Sequence, residues 1–105
     1  MFARVTLFEI DTVRISSAKA LENFKEQVIP AMKKQEGYEG SYVLGTPEGK
    51  GLILSMWSSQ DTAIAGVESG YYDEQVAKFI SVFRSPPGRE HYEVFFADPP
   101  QVKES

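Results

Sequence analysis

One residue of this sequence is suited to proton transfer near neutral pH. Its single histidine is His91, and an unperturbed imidazole has a pKa of about 6.5. His91 is therefore the candidate general base and the candidate catalytic residue. It stands between Glu90 and Glu93, so the alternative is a histidine that faces solvent or is satisfied by its neighbours.

Aromatic side chains offer a second kind of chemistry, the stacking and orientation of a flat ligand. The candidate ligand-binding residues are Trp57, Tyr42, Tyr71 and Tyr72. Trp57 ends an apolar run, while Tyr71 and Tyr72 lie at a predicted break in a helix, where the mouth of a pocket is expected. Packing in the core or on the surface is the alternative for each of them.

Arginine side chains are the candidates for binding an anionic group of a ligand. They are Arg4, Arg84 and Arg89, and the alternative for each is a salt bridge with a nearby acid. No metal site is expected, because the chain has no cysteine, one histidine and scattered carboxylates. No serine has the context of a catalytic triad, and the glycines around Lys50 belong to a turn rather than to a phosphate-binding loop.

The overall composition argues against several classes of protein. The 105 residues amount to one domain, and a net charge of -4 without a basic stripe argues against a nucleic-acid-binding protein. No apolar stretch is long enough to span a bilayer, and the opening MFARVTLFEI lacks the features of a signal peptide. We therefore expect a cytoplasmic protein with no nucleic-acid or membrane partner.

Four segments show the alternation and the β-branched and aromatic content of strands. They are residues 2–10, 38–45, 51–57 and 89–97. In the second of these, Tyr38 and Tyr42 are expected on the same side. The turn at residues 46–49 contains Pro and Gly and predicts an antiparallel hairpin of the second and third strands.

A first helix follows the first strand. It is predicted to begin at Ser16 or Ser17, to bend near Pro30 and to end at Gly37. The residues on its apolar face are Leu21, Phe24, Val28 and Met32.

A second helix follows the third strand. It is predicted to begin near residue 59, where Ser58 and Asp61 have the spacing of a capping box. It is interrupted at Ser69-Gly70 and continues over residues 72–83.

The order βαββαβ predicts an α+β, ferredoxin-like domain with a four-stranded antiparallel sheet over residues 1–97. Residues 98–105 are predicted to be a tail that is flexible or drapes over a partner. Two helices can cover only one face of such a sheet, yet most strands carry large apolar side chains on both sides. The uncovered face predicts a homodimer formed through the sheet.

Two motifs carry a resemblance to a known family. In FKEQVIPAMKKQEGYEGSY, Phe24 to Tyr42, a proline late in the helix precedes Gly-Tyr at the start of a strand. In ILSMWSSQDTA, a tryptophan ends the third strand just before a capped helix. Over residues 2–97 the chain resembles the dimeric α+β barrel superfamily, and within it the antibiotic biosynthesis monooxygenase (ABM)-like domains. The resemblance implies pairing into a dimeric α+β barrel, with a pocket between sheet and helices in each subunit.

The same resemblance implies a range of activities. Characterised members include cofactor-independent oxygenases of polycyclic aromatic compounds and haem-degrading enzymes. The haem-degrading members use a histidine on the second helix, whereas His91 belongs to the fourth strand. The oxygenases use an asparagine on the third strand, whereas the only asparagine here is Asn23 on the first helix.

Two functions follow as expectations. The first is a cofactor-independent monooxygenase, an oxidoreductase acting on an apolar, aromatic small molecule whose own carbanion activates oxygen. The second is a non-catalytic protein of the same fold that binds a small ligand or acts as an accessory protein. An open pocket of a few hundred Å³ faced by both His91 and Trp57 would favour the enzyme.

Overall fold

The predicted α+β architecture is present in the computed structural model, which describes residues 1–98. In chain order the elements are β1 (Phe2–Glu9), α1 (Ser17–Gln27), α2 (Ile29–Lys33), β2 (Tyr38–Gly45), β3 (Lys50–Trp57), α3 (Gln60–Glu68), α4 (Tyr71–Ala77), a 3₁₀-helix (Ile80–Val82) and β4 (Gly88–Glu93). The strands form one antiparallel sheet in the order β2-β3-β1-β4, which confirms the ferredoxin-like fold. None of these helices has the length and apolar character needed to cross a membrane. Apart from Asp98, the predicted tail lies outside the described residues.

The strand register gives the sheet two distinct faces. Trp57 pairs with Tyr38 across β3 and β2, and both pack into the core beneath the helices. Arg4 lies on this same face, because it pairs with Ser55 on β3 and with His91 on β4. We call this face, which packs against the helices, the helix-side face. The buried side chains that form the core with Trp57 are Phe24, Val28, Met32, Ala63, Tyr71 and Phe79.

The opposite side of the sheet, here called the open face, is not covered by the helices. Its larger apolar side chains are Val5, Leu7, Tyr42, Leu44, Leu52, Leu54, Met56 and Tyr92. Among them Leu7 is 42% exposed and Leu44 is 50% exposed. The two apolar faces expected from the sequence are therefore both present.

A β-bulge separates two tyrosines that the alternation predicted on one face. Tyr38 pairs with Trp57, and the next pair on β2 is formed by Gly40, which leaves Glu39 as an extra residue. Because side chains alternate along a strand, one extra residue reverses the side of everything that follows. Tyr38 therefore lies on the helix-side face and Tyr42 on the open face, and the prediction that they share a side is wrong.

Local signals explain how the first helix begins and where it breaks. The Ser16 side chain caps α1 by accepting a hydrogen bond from the backbone N–H of Lys19 at 3.1 Å. Pro30 stands in the first turn of α2, where its missing N–H removes no helical hydrogen bond. A bend was predicted near Pro30, and the helix breaks two residues earlier, at Val28 between α1 and α2. α2 ends at Lys33, so the predicted end at Gly37 is wrong. Gly37, with φ of +80°, then leads into β2.

The second helix begins on a different cap from the one predicted. Ser59, rather than Ser58, is the N-cap, and its side chain accepts a hydrogen bond from the backbone of Thr62 at 3.2 Å. Thr62 therefore completes the capping box in place of Asp61. The predicted break is confirmed at Gly70, which has φ of +85°.

The helical segment predicted over 72–83 is shorter in the structure, where α4 ends at Ala77. After a 3₁₀ turn the chain runs beside the end of β1, and the Asp11 backbone N–H donates to the Val82 carbonyl at 2.7 Å. The backbone around Val82 therefore bonds to a distant segment of the chain instead of continuing the helix. The periodicity of the sequence around α4 does not reveal this long-range contact.

β4 ends at Glu93 instead of the predicted residue 97. Glu93 stands opposite Phe2, the first residue of β1, and beyond this pair the Val94 backbone N–H donates to the Met1 carbonyl at 3.0 Å. Beyond this point Phe95 is 90% exposed and Phe96 is 84% exposed.

Candidate functional site

A cavity of about 410 Å³ opens between the helix-side face, α1 and the segment that follows α4. We call it the apolar cavity. Its larger apolar lining residues include Phe8, Ile10, Leu21, Phe24, Val43, Ile53, Phe79 and Phe83. Its volume lies in the range of pockets that bind small organic ligands.

Helical periodicity and the hairpin turn together form the walls of the apolar cavity. Ala20, Leu21 and Phe24 recur on the face of α1 that is directed at the sheet. The β2–β3 turn approaches α1, and the Ser17 hydroxyl donates to the Pro47 carbonyl at 3.4 Å. The start of α1 and the hairpin therefore form two adjoining sides of the cavity.

A second cavity of about 60 Å³ adjoins the first. Phe24, Ile53, Phe79 and Phe83 line both cavities. We call the smaller one the polar pocket. Its polar lining residues are Arg4, Thr6, Ser55, Tyr71, Tyr72 and Gln75. A ligand with its hydrocarbon body in the apolar cavity can therefore present one end to polar groups.

Hydrogen bonds along the helix-side face hold the polar pocket in place. The Thr6 hydroxyl and the Tyr72 hydroxyl are 3.1 Å apart. Trp57 Nε1 donates to Ser55 Oγ at 3.0 Å, and Ser55 Oγ donates to the Arg4 carbonyl at 3.4 Å. The polar atoms of Trp57 and Ser55 are thus satisfied within the protein.

Arg4 is buried, and the described residues offer its charge no carboxylate partner. The residue is 3% exposed, and Nη1 donates to the Ala63 carbonyl at 3.2 Å. Its guanidinium carbon lies 4.9 Å from the ring centres of both Trp57 and Tyr72. In the part of the chain that the structure describes, no carboxylate oxygen lies within 4.0 Å of its nitrogens. Burial lowers the pKa of Arg4, but arginine stays protonated in proteins.

The Tyr71 hydroxyl is buried and has no hydrogen-bond partner among residues 1–98. Burial raises the pKa of Tyr71 to about 12, against the opposing effect of the Arg4 charge. Tyr71 is therefore protonated at neutral pH. In this site it can donate a hydrogen bond, but it cannot serve as a base.

His91 lies on the helix-side face, opposite Arg4 on the neighbouring strand. Its Nε2 is buried and has no hydrogen-bond partner within the described chain. Burial lowers the pKa of His91, and the positive charges of Arg4 and Arg89 lower it further. The imidazole is therefore neutral at pH 7 and able to accept a proton, but it lines neither cavity.

The structure brings together two of the four predicted ligand-binding residues. Tyr71 and Tyr72 both line the polar pocket. Trp57 is fully buried against Arg4 and lines neither cavity. Tyr42 lies on the open face and is 49% exposed. The ligand-binding roles of all four stay predictions.

The three arginines considered for anion binding have different surroundings. Arg4 lines the polar pocket. Arg89 is exposed, and its guanidinium carbon lies 5.1 Å from the ring centre of Tyr72. Arg84 forms a salt bridge with Glu9 at 3.2 Å. The first two therefore place positive charge near the polar pocket, whereas the charge of Arg84 is paired.

Sequence reasoning did not single out Thr6 or Ser55 as site residues. A signal was present, because Ser55 stands between Ile53 and Trp57 on one side of its strand and Thr6 stands next to Phe8 on the same side of its own. A polar side chain at a buried position is more informative than an apolar one. The apolar wall supplied by Phe79 and Phe83 was missed because it depends on where the chain turns after α4.

The donor set of the two cavities does not suit a metal ion. Within residues 1–98, no three histidine, cysteine, aspartate or glutamate side chains gather closely enough to bind one. The polar pocket instead presents a guanidinium and several hydroxyls. Such groups suit an acceptor or an anion on an organic molecule.

Comparison with known proteins identifies the fold. No protein-family model and no curated protein matches the sequence. A protein from Bordetella bronchiseptica assigned as an antibiotic biosynthesis monooxygenase superposes with a TM-score of 0.72 and 14% identity, over 90% of this chain and 97% of that one.

Two similar structures are oxygenases. One is a monooxygenase from the Streptomyces coelicolor gene ActVA-Orf6, in complex with nanaomycin D, with a TM-score of 0.68 and 14% identity over 95% of this chain and 92% of that one. The other is SnoaB, a cofactor-independent oxygenase from Streptomyces nogalater, with a TM-score of 0.71 and 9% identity over 94% and 97% of the two chains. At such low identity the likeness establishes the fold, and the activity has to be argued from the site.

Proposed function

We propose that this protein, whose fold is that of the ABM-like domains, is a homodimeric, cofactor-independent monooxygenase acting on a flat, apolar, aromatic small molecule. The observation that carries the proposal is the apolar cavity of about 410 Å³, which adjoins a polar pocket. Two structures of the same fold support it, since ActVA-Orf6 is a monooxygenase bound to nanaomycin D and SnoaB is a cofactor-independent oxygenase.

In the proposed reaction the substrate is itself the reductant of dioxygen. A base removes a proton from an activated ring methylene, and the resulting carbanion gives one electron to O₂. The substrate radical and superoxide then combine, with return of a proton, to a hydroperoxide. Loss of water from the hydroperoxide leaves a ring carbonyl. One oxygen atom enters the product and the other leaves as water, so the balance requires no further reductant.

The residues of this chain supply the conditions for these steps. The apolar cavity excludes water from the reactive carbanion. Tyr71 is protonated and has no hydrogen-bond partner in the described chain, so it can donate to an oxygen atom that becomes negative. His91 is the proposed base, because its imidazole is kept neutral near neutral pH.

The position of His91 favours a second candidate function. Neither His91 nor Trp57 lines a cavity, although an enzyme was expected to present both to one open pocket. In this second function the apolar cavity holds a small ligand without chemistry, and the protein acts as a binding or accessory protein.

Oxygen uptake across a panel of phenolic and quinol compounds distinguishes the two functions. We expect uptake with at least one compound, and a loss of at least about tenfold in kcat/KM for Leu21→Trp, whose larger side chain fills the cavity. The matched control is Val13→Trp, because Val13 is 92% exposed and lines neither cavity. It should leave uptake unchanged.

The same assay tests the base. His91→Ala is expected to abolish oxygen uptake while retaining affinity for the compound that the wild type oxidises, measured by calorimetry. Unchanged uptake would remove His91 from the mechanism. Binding by the wild type without uptake for any compound would favour the non-catalytic function.

A further inference from the structure

The Arg4 guanidinium is a buried positive charge on the helix-side face. The residue is only 3% exposed, and it lines the polar pocket. Its one hydrogen bond within residues 1–98 runs from Nη1 to the Ala63 carbonyl. Buried charges in proteins ordinarily have an ion-pair partner. No carboxylate lies within 4.0 Å of it among residues 1–98, so the described part of the chain provides none.

A second positive charge reinforces the first. Arg89 stacks at 5.1 Å on the Tyr72 ring, on which Arg4 also stacks at 4.9 Å. Among the described residues no carboxylate lies within 4.0 Å of Arg89 either. The chain as a whole carries a net charge of -4. Positive charge is therefore concentrated here in a protein that is otherwise acidic.

An unpartnered donor completes the polar pocket. Tyr71 is 9% exposed, it lines the pocket, and its hydroxyl bonds to no other residue in the described chain. A volume of about 60 Å³ is enough for one or two oxygen atoms of a ligand. The pocket thus combines a fixed positive charge, a free hydroxyl and a small space next to a large apolar one.

We propose that the polar pocket binds an oxyanion carried by the aromatic ligand, with Arg4 as its counter-charge and Tyr71 as a hydrogen-bond donor. A planar guanidinium suits this role because its N–H groups match the geometry of an oxyanion. The ligand class is thereby narrowed to aromatic carboxylates and to phenols that bind as phenolates. The inference rests on the proposed function, since the ring system occupies the same apolar cavity.

Titration calorimetry with 2-naphthoate and its neutral analogue 2-naphthamide tests the charge requirement. The wild type is expected to bind 2-naphthoate at least about tenfold more tightly. Arg4→Gln should lose this preference while retaining its affinity for 2-naphthamide. Arg14→Gln is the matched control, since it removes an arginine that is 64% exposed at its side chain and lines neither cavity. It should keep the preference.

A third compound separates the two sources of the oxyanion. 2-Naphthol bound to the wild type is expected to ionise at a lower pH than free 2-naphthol, as followed by its absorbance. Preference for 2-naphthoate without this shift assigns the site to carboxylates. A lowered ionisation pH of 2-naphthol without a preference for 2-naphthoate assigns the site to phenolates. Either result supports the inference.

The wild-type measurements alone can overturn the inference. Equal affinity for 2-naphthoate and 2-naphthamide, with 2-naphthol ionising as it does in water, would reject the oxyanion subsite and leave the apolar cavity as a binding site. Failure of all three compounds to bind would reject the cavity proposal as well. Arg4→Lys covers the case in which Arg4→Gln does not fold, because it retains the charge and should keep part of the preference.

Discussion

Tyr71 and Tyr72 are neighbours in the chain and both line the polar pocket, but their hydroxyls have different surroundings. The Tyr72 hydroxyl lies 3.1 Å from Thr6 Oγ1, whereas the Tyr71 hydroxyl has no partner in the described chain. An unsatisfied buried hydroxyl costs stability, and a hydrogen-bonded one contributes to it. We therefore assign Tyr72 to the structure of the pocket and Tyr71 to the ligand.

This difference predicts that removing the two hydroxyls changes stability by different amounts. Tyr72→Phe should lower the free energy of unfolding by about 1 kcal/mol at neutral pH, because it breaks the bond to Thr6. Tyr71→Phe should change it by less than about 0.5 kcal/mol, because no bond is lost. Urea titration of the two variants measures both. Equal destabilisation would contradict the assignment.

The raised pKa of Tyr71 adds a pH dependence to the same comparison. Its usual pKa is 10.0 and its pKa in the folded chain is about 12. Between these values the unfolded chain loses the Tyr71 proton while the folded chain keeps it, so the free energy of unfolding falls as pH rises. The fall is at most roughly 2–3 kcal/mol. In Tyr71→Phe this fall in the free energy of unfolding at alkaline pH should be absent. In Tyr72→Phe it should remain.

At the scale of elements, two glycines with the same backbone conformation have different surroundings. Gly37 and Gly70 have φ of +80° and +85°. A Cβ on Gly37 would lie 2.5 Å from Thr62 Oγ1 and 2.7 Å from Ser58 Oγ, at the start of α3. A Cβ on Gly70 would meet no atom within 4 Å. Gly37 is therefore required for both conformation and packing, and Gly70 for conformation alone.

The pair allows strain and steric overlap to be measured separately. Gly70→Ala should lower the free energy of unfolding by about 1–2 kcal/mol, the cost of a left-handed conformation for alanine. Gly37→Ala should cost about 2–5 kcal/mol, because overpacking against Thr62 is added to that strain. Chemical denaturation of both variants tests the difference. Similar losses would show that α3 shifts to accommodate the methyl group.

At the scale of the whole molecule, the exposed apolar side chains of the open face favour association of two copies of the chain. Its apolar side chains include Leu7, Leu44 and Tyr92, each more than two-fifths exposed. Phe95 and Phe96 add two more exposed aromatic side chains after β4. Burying one large apolar side chain contributes about 1.5–3 kcal/mol. Several together can offset an association cost of about 4–15 kcal/mol, so we propose a homodimer paired through the open face.

A charge in the open face tests this assembly. The wild type is expected to sediment as a dimer at micromolar concentration. Leu54→Glu should shift it to the monomer, because the new carboxylate would be buried without a partner between two sheets. Val13→Glu introduces the same charge at a position that is 92% exposed, and it should remain dimeric. A wild-type monomer at this concentration would contradict the proposal.

The candidate site shows how far sequence alone can lead. Arg4, Tyr71 and Tyr72 were selected by residue type, because guanidinium and hydroxyl groups are suited to ligand binding. Their meeting in one pocket depends on β1 lying under α3 and α4, through contacts that span 59 and 66 positions of the chain. Tyr42 was selected by the same reasoning, but the bulge at Glu39 leaves it on the other side of the sheet.

The sequence by itself determined which segments are strands and helices, their βαββαβ order and the apolar character of both sheet faces. These features depend on alternation, periodicity, capping and glycine or proline conformation, which act over a few residues. The tertiary structure decided where β4 and α4 end, which side Tyr42 faces, and that Arg4 is buried beside Tyr71. These outcomes depend on backbone pairing and burial between segments distant in the chain, and no local pattern records which partner a residue will meet.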